Sequence, residues 1–159
     1  MKLTIFPLIL LLMVASHCPA ETACKLLNKA TAAGIFNMND DFAGQAVINE
    51  SAPCNFHYHD ERVEYSLVIE VRDQSVGNEM LGGATCNSGE KALRGIGNEA
   101  FLCEVTARWT ATAQIRGRVR DQLFLITLTS HGKSEALMDR DTLRENVTLA
   151  AEQVAGNLF

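Results

Sequence analysis

Positive charge is in short supply: the 159 residues hold 14 Lys and Arg against 19 Asp and Glu, a net charge of −5. That balance argues against general nucleic-acid binding, which needs clustered cations facing phosphates. After the first twenty residues, no apolar run approaches the roughly 20 residues that cross a bilayer as a helix. No two cysteines stand two residues apart, so zinc knuckles and thioredoxin-like redox sites are disfavoured. Gly89 is followed by Glu90 rather than Lys, and no glycine precedes it at the required spacing, so no phosphate-binding loop of the P-loop type is present. The nucleophile elbow GxSxG is also missing, and the adjacency of Ser130 and His131 is no evidence of a triad, which is built from neighbours in space rather than in sequence. No internal repeat is visible.

The N-terminus, "MKLTIFPLILLLMVASHCPA", has one charge at Lys2 and then an apolar run to Ala15. This is the layout of a secretory signal peptide, with cleavage expected after Ala20. Acylation of Cys18 is the alternative, although His17 is larger than the small residue a lipoprotein signal places there. Residues 21–159 then form a single exported domain, periplasmic or secreted, with no membrane span after cleavage. Cys24, Cys54, Cys86 and Cys103 survive cleavage, an even number that suits structural disulfides in an oxidising compartment.

Periodicity predicts the elements. Apolar residues spaced by three and four predict a helix over Cys24–Ala33, with Gly34 as its C′ residue. A short strand is expected within "FAGQAVINE". Phe56 and Tyr58 alternate with His57 and His59, and "VEYSLVIEV" continues the alternation after "DER", which together predict a hairpin. Residues 72–104 are glycine-rich and read as loop, apart from a short helix over Ser75–Leu81. Val105 to Ile115 is apolar at every odd position, Trp109 included, and reads as one long strand. Gly117 is expected to turn the chain into "QLFLITLTS". Leu143, Val147, Ala150, Ala151, Val154 and Leu158 form the apolar stripe of a C-terminal helix, N-capped by Thr142 with Glu145 or by Asp139. Small Ala111 and Ala113 leave room for that helix. The expected fold class is α+β: an antiparallel sheet of about four to five strands with an N-terminal and a C-terminal helix on one face.

Several residues are candidates for function. The polar side of the long strand, Arg108, Thr110, Thr112 and Gln114, is the proposed ligand-binding surface. His57 and His59, two apart on a strand, point to one face and suit a transition metal, with Glu61 as third ligand if the strand continued. The simpler reading makes them the wet face of that strand, with no metal and no cofactor. Arg116, Arg118 and Arg120 could grip an anion or be a solvated hairpin tip. Asn49 and Asn146 begin glycosylation sequons, relevant only in a eukaryotic secretory pathway.

"CKLL", "CNF", "GIGNEAF", a hairpin and a final amphipathic helix together resemble exported bacterial domains of unknown function, many of them actinobacterial lipoproteins. Their pattern is a Cys-x-Leu-Leu start and a GxGxEA-type turn. The resemblance covers most of residues 24–158; Phe56 stands where Trp is usual, and the Cys86/Cys103 pair is additional. It implies an α+β sandwich with the first two cysteines bridged, and it implies no activity. Four cysteines allow three pairings by sequence alone. The expected set is Cys24–Cys54, which ties the first helix to the first firm strand, and Cys86–Cys103, which closes the glycine-rich segment. The expected function is a non-enzymatic envelope or secreted domain that binds an extracellular protein or a small ligand. The alternative is an enzyme or metal-binding protein using the His57/His59 region.

Overall fold

The computed structural model describes residues 25–36, 47–49, 54–59, 61–74, 86 and 89–159. The chain is α+β, built on one fully antiparallel sheet crossed by a C-terminal helix. The strands are β1 (Val47–Asn49), β2 (Cys54–His59), β3 (Val63–Asp73), β4 (Lys91–Leu93), β5 (Glu99–Ala107), β6 (Thr110–Val119) and β7 (Gln122–Gly132). Six of them carry the sheet, and β1 adds a three-residue pairing at one edge. Their order across the sheet is β1-β2-β3-β7-β6-β5-β4. Two meanders therefore meet at the β3–β7 seam, where Val63 to Asp73 pair with Gly132 to Gln122.

The sheet is larger than the four to five strands expected. The difference lies in β4 and the first half of β5, which fall where glycine content suggests loop. Between them, "GIGNEAF" makes a tight approach to the β6 end: Ile96 is buried and Asn98 N donates to the Arg118 carbonyl at 2.8 Å. Gly97 has φ +59°, and a Cβ there would stand 2.5 Å from the Arg118 carbonyl oxygen. Only glycine fits that position without strain.

The alternation from Val105 to Ile115 is not one strand. It breaks at Arg108–Trp109, a two-residue turn in which Ala107 pairs with Thr110. Residues paired across a hairpin share a face, so this turn exchanges odd for even. Ala111, Ala113 and Ile115 face the core, and on β5 the same face carries Ala100, Leu102, Glu104 and Thr106. Trp109, expected on the dry side, sits in the turn and is 47% exposed. The next turn also differs from expectation. Gly117 lies inside β6 opposite Ala100, where a Cβ would come within 2.4 Å of the Phe124 ring. The positive φ belongs instead to Arg120, whose N–H donates to Asn98 Oδ1 at 2.6 Å.

Helix α1 (Lys29–Ile35) is N-capped by Asn28, whose Oδ1 accepts from Thr31 N at 2.9 Å. It runs past Ala33, so Gly34 is inside it and Phe36 is the C-cap. The expected start at Cys24 and the Ser75–Leu81 helix lie outside the described residues. Helix α2 (Arg140–Leu158) is N-capped by Asp139, which accepts from the Asp141 and Thr142 amides. Thr142 is thus inside the first turn rather than at the cap. Leu143, Val147, Ala150, Ala151 and Val154 are buried on the sheet, and α2 packs on β6 and β7. Ala111 and Ala113 sit under it, as small residues must where a helix approaches a sheet closely. Phe36, Tyr65 and Tyr58 stack in series at centroid spacings of 5.9 and 5.8 Å, joining the end of α1 to β3 and β2.

Cys86 and Cys103 form a disulfide with Cα atoms 5.3 Å apart. Cys103 pairs with Gln114 and so faces away from α2; the bridge holds residue 86 against the sheet's other side. Cys54 is buried and disulfide-bonded. Cys24, Cys18 and the whole of residues 1–20 lie outside the described residues.

Candidate functional site

Two surfaces come from this layout, one on each side of the sheet. The side away from α2 is a ladder of polar rows. His59, Glu64, His131 and Thr110 form one row across β2, β3, β7 and β6; His57, Ser66, Thr129 and Thr112 form the next; Asn55, Val68, Thr127 and Gln114 follow. Neighbours in these rows satisfy one another. Thr110 Oγ1 and His131 Nδ1 share a hydrogen bond at 3.0 Å, Thr112 and Thr129 hydroxyls share one at 3.2 Å, and Gln114 Nε2 donates to Thr127 Oγ1 at 3.0 Å. Ser66 Oγ donates to Asn55 Oδ1 at 3.2 Å.

Three of the four proposed ligand-binding residues, Thr110, Thr112 and Gln114, are therefore together on this face. Arg108 is not among them. It lies in the β5–β6 turn, with its guanidinium 4.8 Å from the Trp109 ring centroid. The parity exchange at the turn accounts for the separation.

His57 and His59 share the ladder face, as i and i+2 must on a strand. Glu61 is exposed in the turn after β2, off the strand. The carboxylate that stands opposite His59 is Glu64, and its Oε1 is 3.9 Å from His57 Nδ1. Among the described residues, no three His, Cys, Asp or Glu side chains are grouped to hold a metal ion. Ser130 and His131 point to opposite faces: Ser130 is buried on the core side, where its Oγ accepts from Met138 N, just ahead of α2, at 3.0 Å. They form no nucleophile–base pair. The arginines of the β6 end are committed as well. Arg116 is bonded to Glu90 and lies over the Phe101 ring, Arg118 Nε is 3.0 Å from Glu99 Oε1, and Arg120 lies over Phe159.

The second surface is on the helix side, between the β5–β6 hairpin and the start of α2. Here a groove of about 520 Å³ opens. Its apolar lining comes from Ala107, Ala111, Leu137, Met138 and Leu143, and its charged residues are Glu104, Arg108, Asp139 and Arg140. Glu104 is clamped: Arg140 Nη2 lies 2.9 Å from one oxygen and Arg144 Nη2 lies 3.1 Å from the other. The Arg140 hydrogen bond above all, then Arg144, holds the Glu104 carboxyl below its ordinary pKa against the opposing effect of desolvation. Asp139 is also held low, chiefly by the Thr142 hydroxyl and amide. Sequence reasoning missed this groove. Its signal was polar Glu104 and Thr106 at positions that face the core once the hairpin is placed.

No helix among the described residues is long and apolar enough to cross a membrane. Compared with family models, with curated proteins and with solved structures, the chain matches none.

Proposed function

We propose that this is an exported, non-enzymatic domain that docks a partner protein on the ladder face of its sheet. The carrying observation is the set of cross-strand pairs Thr110–His131, Thr112–Thr129 and Gln114–Thr127. Burying polar groups is costly mainly when they lose their hydrogen bonds. Groups that bring their own partners can be covered by another protein at little penalty, and the rows run across four strands. The apolar leader and the disulfide support the exported compartment.

A photo-reactive amino acid at Thr112 in the native exporting host tests the docking face. The expected product is one discrete adduct, absent when the probe is at Leu149 on the exposed side of α2 and absent again when Thr129→Arg is added. Equal adducts from Thr112 and Leu149 would remove the proposal. N-terminal sequencing of the exported product tests the compartment: a mature chain beginning at Glu21 is expected, and a lipid-modified Cys18 would replace it with an anchored one.

A further inference from the structure

The helix-side groove shares Thr112 with the docking face and otherwise draws on the end of β5, the β5–β6 turn and the approach to α2, with its own charge logic. Four charged residues line it. Three are already committed. Both Glu104 oxygens are taken by Arg140 and Arg144. Arg140 spends its Nε and Nη2 on that carboxylate, and Asp139 caps the helix and accepts from the Thr142 hydroxyl. Arg108 is the exception: it makes no ion pair among the described residues, and its one recorded contact is the Trp109 ring. A guanidinium resting on an indole keeps all its N–H donors, and the stacking restricts it before a ligand arrives. Next to it lie Ala107, Ala111, Leu137, Met138 and Leu143, an apolar bed within the size range of small-molecule sites.

From this pairing of one uncommitted cation with an apolar bed we infer that the groove binds a small amphipathic anion, a single-chain carboxylate whose head group is held by Arg108 and whose alkyl chain lies toward Leu143. A cationic amphiphile is disfavoured because Glu104 is already paired with two arginines, Asp139 is engaged in capping the helix, and Arg108 would repel the incoming cation. A short polar anion is disfavoured because it leaves the apolar bed wet.

Octanoate is the probe, with acetate, octan-1-ol and octylammonium as controls, titrated into the full exported chain. The sole tryptophan is Trp109, so its fluorescence reports on the Arg108 site directly. Saturable one-to-one binding of octanoate is expected, with acetate and octylammonium weaker by at least about tenfold, since each lacks one of the two contacts. Arg108→Gln, in an exposed turn where it does not threaten the fold, is expected to weaken octanoate by about tenfold while leaving octan-1-ol unchanged. Methyl resonances of Ala111 and Leu143 should shift on addition. The inference is overturned if octylammonium binds as well as octanoate, if Arg108→Gln leaves octanoate affinity unchanged, if the shifts map to the ladder face, or if no saturable binding occurs below about 10 mM. Partner docking is read by the loss of the adduct with Thr129→Arg, and groove binding by Arg108→Gln and the Leu143 shift, residues the two surfaces do not share, so the two readings stand or fall separately.

Discussion

Asn146 Nδ2 donates to the carbonyl of Ile35 at 2.6 Å, bridging the middle of α2 to the last turn of α1. The amide is buried, and it also approaches Met138 Sδ at 3.6 Å. In sequence this residue begins a glycosylation sequon; in the fold its nitrogen is spent holding one helix to the other. Asn146→Ala is expected to destabilise the protein by about 1–3 kcal/mol, because it leaves a helix-terminal carbonyl without its donor. Hydrogen exchange should accelerate first in residues 29–36. An unchanged melting temperature would show that the bond contributes nothing net.

Acid sensitivity should run through Glu104. Its carboxyl is held below its ordinary value of 4.5 by Arg140 and Arg144. A depressed folded pKa gives stability that is complete above the unfolded value and lost as pH falls through the folded one. Stability should therefore hold at neutral pH and decline below about pH 4.5, with Asp139 contributing in the same direction. Glu104→Gln is expected to cost about 1–2 kcal/mol at pH 7, a figure reduced for the partial exposure of both arginines, and to flatten the acid limb. Urea midpoints at pH 7 and pH 3.5 check this; an equal loss at both would contradict it.

Opening the Cys86–Cys103 bridge should act locally. The bridge spans 17 residues, and a bridge of that loop size typically contributes about 2–4 kcal/mol. Replacing both cysteines with serine should raise exchange in residues 89–93 and in β5, while the β2–β3–β7 register survives. Non-reducing peptide mapping of the parent protein should return Cys86–Cys103 together with Cys24–Cys54; a Cys24–Cys86 or Cys24–Cys103 peptide would rule that pairing set out.

Metal content decides the alternative function. With Glu61 off the strand and only Glu64 near His57, purified protein without a polyhistidine tag is expected to carry far less than one zinc or copper per chain. Elemental analysis giving about one metal per chain, lost on His57→Ala with His59→Ala, would favour the metal-binding reading.

The C-terminal helix was legible because Leu143, Val147, Ala150 and Val154 keep one apolar stripe over most of its length, and Ala111 with Ala113 marked where it lands. The β2–β3 hairpin was legible because its alternation holds on both sides of the turn. The β5–β6 hairpin was not, and the reason is specific. A two-residue turn should reverse the parity of the apolar positions, but β5 ends with polar Glu104 and Thr106 on the core side and apolar Val105 and Ala107 on the other. The two reversals cancel, and the sequence reads as one strand. The groove is what puts polar residues on that core face, so the feature that hid the hairpin is the one that makes a site there. Gly117 misled for a related reason: its requirement is space for the Phe124 ring, and glycine looks the same whether it serves a turn or a close contact.

The strand order also sets an order of events in time. Every pairing within either meander joins strands close in sequence, and such contacts form early because they close short loops. The β3–β7 seam alone joins distant segments, with Val63 facing Gly132 and Asp73 facing Gln122, partners about fifty to seventy positions apart. Closing it should be the slow step of folding, and β7 cannot take that place until the chain has laid down β4, β5 and β6. A nascent chain stopped short of Gln122 would leave β3 with an open edge, the side on which unfinished copies of this protein would pair with each other.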